Sequence, residues 1–269
     1  MQLLISCQRR RPAGAGREGF TLIELILVIL LLGIIGAMGG EMISTAFKGF
    51  SDTDARMELF EEGKLALMRM EREIHHMIPN AITHTDTTVS FGLIDVDTLN
   101  SSIFGKYEPV DGDTIHDLSN TVLADGSLIS IYNTSWADFT SPTAGLRKIY
   151  STTAPGSNMN LDKAVIGGHS AANRFYPVTK AVRYFLDGSV LYRAEIGVTL
   201  ASDFATNLTL ITPTSSPQAY PLLSHITALS FNYVPASLTR NALVRVNFTL
   251  ENKGNSLDFH KEIQVRNVP

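Results

Sequence analysis

A run of 21 residues, 20–40, carries a single charged side chain, Glu24, and this run restricts what the chain can fold into. As a helix, it would span about 30 Å, which is the thickness of the hydrocarbon core of a bilayer. A buried helix in a soluble domain is the alternative, but so long an apolar run exceeds what a globular interior usually holds. We therefore expect residues 20–40 to form a transmembrane helix.

The charges on the two sides of this run differ in sign. Residues 1–19 contain four arginines and one glutamate, whereas acidic residues follow the run from Glu41 onwards. Because positive flanks stay in the cytoplasm, we expect a cytoplasmic N-terminus and a C-terminal domain on the other side. Beyond residue 19, the chain has 18 basic and 25 acidic residues, a formal charge of about −7. That excess of negative charge argues against nucleic acid as a partner.

The basic segment does not resemble a secretory signal peptide, because the apolar run is too long and no A-x-A site follows it. The junction with small-residue character is Gly19-Phe20, which lies before the run. The chain's one cysteine, Cys7, lies in the basic segment. Removal of that segment would leave a product with no disulfide and no thiolate metal ligand.

Residues 19–24, Gly-Phe-Thr-Leu-Ile-Glu, resemble the prepilin-peptidase site of type IV pilins and of type II secretion pseudopilins. The resemblance implies that the basic leader 1–19 is removed by cleavage between Gly19 and Phe20 and that Phe20 is then N-methylated. It also implies a bacterial inner-membrane protein with a periplasmic domain, which later enters a pilus at the cell surface. The implied partners are other pilins through the N-terminal helix, the prepilin peptidase, the pilus assembly platform and the membrane.

Glu24 also has a physical interpretation. A carboxylate in an apolar zone costs roughly 2.5–3.5 kcal/mol at a central position, so it usually has a partner or a function. Cleavage after Gly19 would expose an ammonium on Phe20, one helical turn from Glu24. Between subunits, such a pair would set the axial register of a filament. The alternative is that Glu24 favours the N-terminus of its own helix.

Four glycines lie in the apolar run, and three of them are candidates for a role in assembly. Gly36 and Gly40 form a G-x-x-x-G pair, which suits close helix packing. Interior glycines also weaken a helix by about 1 kcal/mol each. Many major pilins have a proline where this chain has Glu41, so we expect Gly39-Gly40 to soften the helix instead.

Helical character is expected to continue through residues 41–78 as an amphipathic extension that ends at Pro79 and Asn80. Apolar residues recur there at spacings of three and four, which predicts a face packed on a domain core. The predicted face comprises Met57, Phe60, Gly63, Leu67, Met70, Ile74 and Met77.

Residues 79–269 are predicted to form a β-rich domain. Strands are expected at 87–96, 127–133 and 226–234, and hairpins at 181–196 and 242–265 about the turns Asp187-Gly188 and 253–255. Residues 134–174 are polar and are expected to be long surface loops. The predicted fold class is α+β: a long N-terminal helix packed on an antiparallel β-sheet, as in pilins.

Several body segments narrow the resemblance. Residues 65–82, 174–193 and 263–269 resemble the MshO-type minor pilins of mannose-sensitive haemagglutinin pili, which implies a minor pilin in pilus biogenesis, at initiation or at the filament tip. Residues 65–82 also resemble the J-type minor pseudopilin of type II secretion systems, which is the first alternative. A pilus-displayed adhesin or ligand-binding subunit that uses residues 134–174 is the second.

No residue pattern indicates an enzyme, since the nucleophile-elbow, zinc-protease, P-loop and dinucleotide patterns are all missing from the sequence. His75 and His76 are adjacent and therefore point to different faces of a helix. Asp-x-Asp spacing at 95–97 and 111–113 can begin a calcium loop, but no glutamate closes a twelve-residue loop. We expect solvated turns there and no cofactor, with calcium as the alternative.

Overall fold

The computed structural model describes residues 19–265 apart from 100, 101, 103, 120, 122, 142, 144, 145, 154–157, 201, 202, 215–217 and 237–240. The predicted leader therefore lies outside the described residues, except for Gly19. The chain divides into two compact units, Met1–Ser51 and Asp52–Pro269. The helices are α1 (Leu22–His75), α2 (Trp136–Thr140) and α3 (Phe204–Leu210). The strands are β1 (Met77–His84), β2 (Thr88–Ile94), β3 (Gly105–Pro109), β4 (Thr114–Asp117), β5 (Leu128–Ile131), β6 (Ile149–Thr153), β7 (Asn158–Leu161), β8 (Arg174–Asp187), β9 (Val190–Gly197), β10 (Ala219–Leu223), β11 (Ile226–Val234), β12 (Leu243–Asn252) and β13 (Asn255–Gln264).

The strands form two antiparallel sheets. In the larger sheet, the order is β1-β2-β8-β3-β4-β7-β6-β5, with β9 beside β8 and β10 beside β9. The smaller sheet has the order β11-β12-β13. A helix packed on antiparallel β-structure confirms the α+β prediction, although the strands are divided between two sheets.

Both predicted hairpins are confirmed. In the β8–β9 hairpin, Asp187 pairs with Val190, and Gly188 in the turn has a φ of 59°. In the β12–β13 hairpin, Asn252 pairs with Asn255 across Lys253 and Gly254, whose φ angles are 51° and 79°. Two consecutive positive φ angles are the geometry of a type I′ turn, whose twist matches that of the flanking strands.

Within the second unit, α1 buries a face that differs in part from the predicted one. Four of the predicted residues are buried as expected: Gly63, Met70, Ile74 and Met77. Met57 and Phe60 are instead 58% and 50% exposed. The buried helical residues are Ala55, Leu59, Gly63, Ala66, Met70, Glu73 and Ile74. Small side chains form much of this face, and a search for large apolar residues therefore selects a face rotated toward Met57 and Phe60.

The helix ends earlier than predicted, at His75 rather than near Ile78. Met77 is already the first residue of β1, where it pairs with Leu93 of β2. Pro79, the expected helix terminator, lies inside β1, which is an edge strand that tolerates the missing N–H. A register shift between Met77 and Ile82 accompanies a φ of 59° at Asn80.

Residues 134–174 were expected to be surface loops, and this prediction is wrong for much of the segment. It contains α2, β6 and β7, and Phe139, Tyr150 and Met159 are buried in one hydrophobic core with the central strand β8. Short strands of four or five residues with polar neighbours leave little periodicity to detect.

A second hydrophobic core joins α1 to both sheets. Leu59, Met70 and Ile74 of the helix share it with Tyr184 of β8 and Phe248 of β12. Gly63 lets the smaller sheet approach α1, because a Cβ at this position would lie 2.7 and 2.8 Å from two ring carbons of Phe259. That ring is itself held between Phe248 and Phe60, with centroid distances of 4.9 and 6.3 Å.

We predict that Gly63→Ala destabilises the domain by about 1–2 kcal/mol, because overpacking against a confined ring outweighs the gain of about 1 kcal/mol in helix propensity. Urea unfolding of the full chain in detergent micelles, followed through the single tryptophan, Trp136, measures the change. Gly49→Ala in the same helix is the matched control, because an added Cβ there meets nothing within 4 Å beyond its own helix. Equal stability of the two variants would contradict the close-packing interpretation.

Candidate functional site

The predicted cleavage junction lies just before the first helix. Gly19 and Phe20 are exposed, Phe20 to 80%, and α1 begins at Leu22. A peptidase needs an extended, accessible backbone at the bond that it cuts, and helical hydrogen bonds would have to break if the junction lay inside α1. Gly19 and Phe20 therefore have the accessibility that processing requires.

Thr21 caps the N-terminus of α1. Its carbonyl accepts hydrogen bonds from the backbone N–H groups of Glu24 (3.1 Å) and Leu25 (3.2 Å). Its Oγ1 also lies 3.4 Å from the N of Glu24. Thr-x-x-Glu is the capping-box pattern, so this helix start can also be recognised from the sequence.

The carboxylate of Glu24 is exposed and has no hydrogen bond or ion pair with the part of the chain that the structure describes. Its backbone takes part in the cap, whereas its charged group has no such contact. An acid in the first turn also interacts favourably with the positive end of the helix dipole. The same charge remains accessible to a cation from another molecule.

The N-terminal unit exposes the apolar surface of α1. The helix is long and apolar enough to cross a membrane, with a mean hydropathy of 2.7 over its most apolar window, and 0% of that window is buried by the chain. The core helix of a soluble domain would be covered by its own chain. The apolar side chains from Leu22 through Phe50 are thus available to lipid or to other helices.

The glycines of the apolar run lie inside a continuous α-helix. Around Gly36, Gly39 and Gly40, an added Cβ would meet nothing within 4 Å beyond the helix itself. The G-x-x-x-G surface formed by Gly36 and Gly40 is therefore open for a second helix, while the softening assigned to Gly39 and Gly40 stays a prediction.

A buried ionic network that the sequence analysis missed connects α1 to the larger sheet. Glu73 is 8% exposed and accepts a 2.6 Å hydrogen bond from the hydroxyl of Tyr184. Nε of Arg193 lies 3.0 Å from both carboxylate oxygens of Glu73. Arg193 also contacts Glu195 at 2.7 Å, and Glu195 contacts Lys180 at 2.9 Å. In the sequence, Glu73 is one of several glutamates on a charged helix, so nothing distinguishes it from an exposed one.

Burial and the neighbouring charges shift several pKa values in this network. Burial and the carboxylate of Glu73 raise the pKa of Tyr184 well above its usual range, so the hydroxyl stays a proton donor. Burial alone would lower the pKa of Arg193, but its hydrogen bonds to Glu73 and Glu195 reverse that effect and raise it. The network therefore keeps Arg193 positively charged beside Glu73 and links α1 to the larger sheet. We call this network of Glu73, Tyr184 and Arg193 the ionic brace.

Asp117, at the end of β4 and four residues after the Asp-x-Asp pair at 111–113, is a buried carboxylate that accepts hydrogen bonds from the backbone N–H groups of Ser119 (2.7 Å) and Thr121 (2.8 Å). Those bonds shape the turn that follows β4. Among the described residues, no group of three or more His, Cys, Asp or Glu side chains could hold a metal ion.

We predict that Glu73→Ala destabilises the domain by about 3 kcal/mol, because it leaves the guanidinium of Arg193 and the hydroxyl of Tyr184 buried without this partner. Glu58→Ala, on the exposed side of the same helix, should change stability by less than about 0.5 kcal/mol. Urea unfolding in micelles compares the two variants. A loss for Glu73→Ala no larger than that for Glu58→Ala would show that the brace contributes nothing to stability.

Comparison of the chain with known protein families, with curated proteins and with solved structures finds no match. The resemblance to prepilins therefore rests on residues 19–24 and on the body segments that resemble minor pilins.

Proposed function

We propose that this chain is a minor pilin that takes part in the biogenesis of a type IV pilus of the mannose-sensitive haemagglutinin kind, at initiation or at the filament tip. One observation carries the proposal: an accessible Gly19-Phe20 junction directly precedes a capped helix, and the chain itself does not bury the apolar first part of that helix. A peptidase substrate and a helix that moves from lipid into a bundle of other helices need these two properties together.

The proposed processing begins in the inner membrane, with the leader in the cytoplasm and the β-rich domain in the periplasm. Prepilin peptidase cuts after Gly19, and the new amine on Phe20 is N-methylated and keeps its positive charge. Cleavage removes the four leader arginines, which otherwise favour retention of the N-terminus at the cytoplasmic surface. Without those charges, the new N-terminus at Phe20 can leave the bilayer with the filament.

The proposed role of Glu24 is to bind the amine of Phe20 in a neighbouring subunit. The carboxylate is exposed, and Thr21 already serves the local helix cap. In an apolar bundle, an unpaired carboxylate and an unpaired ammonium are each costly, so pairing them favours one axial register over others. Gly36 and Gly40 would allow the helices to approach closely at that register.

The J-type pseudopilin of a type II secretion system remains the alternative, since it shares the processing site and the resemblance of residues 65–82. The adhesin alternative relied on residues 134–174 as free loops, and α2, β6 and β7 instead form part of a buried core there. The minor-pilin proposal does not depend on that segment.

We predict that Glu24→Val leaves cleavage and membrane insertion intact but strongly reduces incorporation into pili. Immunoblots of cell membranes would report cleavage as a mobility shift, and immunoblots of sheared pili would report incorporation. Glu41→Val is the matched control, because it makes the same change in the same helix beyond the apolar run, and it should be incorporated normally. Normal incorporation of Glu24→Val would refute the pairing. A cleaved wild-type chain that is missing from pili, and whose deletion leaves piliation unchanged, would refute the proposed function.

We also predict that Gly39 and Gly40 soften α1 in the assembled filament. Amide hydrogen exchange around these residues should be faster than in the flanking helical turns, and Gly39→Ala with Gly40→Ala should slow it. Exchange as slow as in the flanking turns of the unsubstituted filament would contradict this role.

A further inference from the structure

Strand β13 is the last strand of the smaller sheet, and it pairs with β12 on one side only. It is ten residues long, contains no proline, and keeps one continuous register with β12 from the turn to Gln264. In a type I′ hairpin, the two residues that flank the turn, here Asn252 and Asn255, bond to each other. Because the direction of the backbone groups alternates along a strand, the odd-numbered residues of β13 bond to β12. The bond from the N–H of Val265 to the carbonyl of Ala242 fits this alternation.

The even-numbered residues of β13 therefore direct their backbone N–H and C=O groups away from the sheet. They are Ser256, Asp258, His260, Glu262 and Gln264, and all five residues are exposed. Within the described part of the chain, none of their backbone groups takes part in a hydrogen bond outside the ladder with β12. We call this row of backbone groups the free edge.

Three other terminal strands of this domain are blocked against a further strand. In β1 and β10, Pro79 and Pro221 each interrupt the row of N–H donors, and each strand has a register shift. In β11, the N–H groups of Ile226 and Phe231 bond to carbonyls in the turns that precede β9 and β2. Prolines, irregularities and covering loops are the usual protection of sheet edges. The free edge of β13 has none of them in the described part of the chain.

The side chains on the two faces beside the free edge differ in character. On the face away from α1, which we call the solvent face, β12 and β13 carry three carboxylates and one guanidinium, from Glu251, Asp258, Glu262 and Arg245. Arg245 is paired with Glu262 at 2.7 Å. In the described part of the chain, Asp258 has no ion-pair partner and accepts a hydrogen bond from the hydroxyl of Thr249 (2.7 Å). The solvent face therefore favours a basic neighbour.

On the opposite face, the side chains of β13 point toward α1. Leu257 and Phe259 pack against the second hydrophobic core but are only partly buried. The ring of Phe259 stacks on Phe60 of α1, which is 50% exposed. Farther along the strand, Lys261 is paired with Glu71 at 3.0 Å, so its charge is already matched. A strand added here would cover apolar surface with every second side chain.

We propose that the free edge of β13 binds an extended segment of another protein, which adds to the smaller sheet as a fourth, antiparallel strand. Backbone hydrogen bonds to the even-numbered residues hold the segment, and its side chains alternate between basic and apolar. The basic side chains lie beside Asp258 on the solvent face, and the apolar ones lie beside Leu257 and Phe259. The inference goes beyond the proposed function and does not rest on it.

A synthetic peptide tests the proposal with the full chain in detergent micelles. The probe is the fluorescein-labelled peptide Thr-Val-Thr-Val-Lys-Val-Arg, whose fluorescence anisotropy reports binding. Placed antiparallel to β13, it sets lysine opposite Asp258, arginine opposite Ser256, and valines beside Leu257 and Phe259. We expect saturable binding, and weaker binding of the matched peptide Thr-Val-Thr-Val-Glu-Val-Glu. Failure of the basic peptide to bind would overturn the proposal.

N-methylated peptides test whether the backbone is what β13 recognises. In an antiparallel pair, opposite residues exchange both bonds, so the N–H groups of the peptide's polar residues face the free edge. N-methylation of the second threonine and the lysine should weaken binding at least about tenfold. N-methylation of the two flanking valines, whose N–H groups face solvent, should change it less than about twofold. Equal affinities of the two peptides would overturn the proposal, and this comparison needs no variant of the chain.

A proline in β13 tests the same bonds from the side of the chain. His260→Pro removes an N–H of the free edge and leaves the ladder with β12 intact, and edge strands tolerate proline at such positions. It should weaken binding of the basic peptide at least about tenfold. His260→Ala, which keeps the N–H, is the matched control and should bind normally. Circular dichroism confirms that both variants are folded. Equal affinity of the two variants would contradict the proposal.

Charge exchange tests the basic character of the segment. Asp258→Lys should weaken binding of the basic peptide at least about threefold and strengthen binding of the glutamate peptide by a similar factor. Asp111→Lys, which makes the same change in an exposed turn after β3, should affect neither peptide. If Asp258→Lys leaves both affinities unchanged, the charge complementarity assigned to the solvent face is wrong.

A second copy of the chain is the other possible occupant of the free edge. Sedimentation of the peptide-free chain in micelles tests it, and we expect the same mass for the unsubstituted chain and for His260→Pro. A dimer that His260→Pro abolishes would assign the free edge to self-association and would overturn the proposal.

Discussion

The close packing of the second part of α1 is the contact on which the domain depends. The helical face that contains Leu59, Ala66, Met70 and Ile74 shares one core with strands of both sheets. Gly63 removes a side chain where Phe259 comes nearest, so the smaller sheet can reach the helix backbone. Without this face, the larger and smaller sheets would lose the apolar surface that they bury in common.

Small side chains allow close contact but specify rotation poorly, since alanine and glycine offer few features for a neighbouring sheet to recognise. The buried carboxylate of Glu73 supplies that specificity. It can meet the Tyr184 hydroxyl and the Arg193 guanidinium in one rotation of the helix, and any other rotation would leave charged groups without a partner. The ionic brace and the smooth apolar face thus act together.

The sequence predicted the features that are long or have strong local chemistry. The apolar run, the long helix, and the turns at Gly188 and at Lys253-Gly254 all follow from patterns that a few neighbouring residues determine. The rotation of α1 does not, because Ala55 and Ala66 are apolar enough to be buried but too small to dominate a periodicity. Strands such as β4 and β7, with four residues each, are too short for alternation to show. Among the candidate site residues, Gly19, Phe20 and Glu24 came from a motif, whereas Glu73 could be recognised only through Arg193, 120 positions away in the chain.

The shared core also has a consequence for the order of events during synthesis. Leu59 leaves the ribosome early, but Phe248, which belongs to the same core, follows about 190 residues later. Until then, one side of the helix lacks its cover, and contacts this distant in sequence form slowly. A partly synthesised chain therefore exposes apolar side chains of α1 on the outer side of the helix and also on the side that later joins the core. Once the last hairpin has formed, only the outer side of this part of α1 stays exposed. The finished domain, and not the nascent helix, is therefore the form suited to selective association.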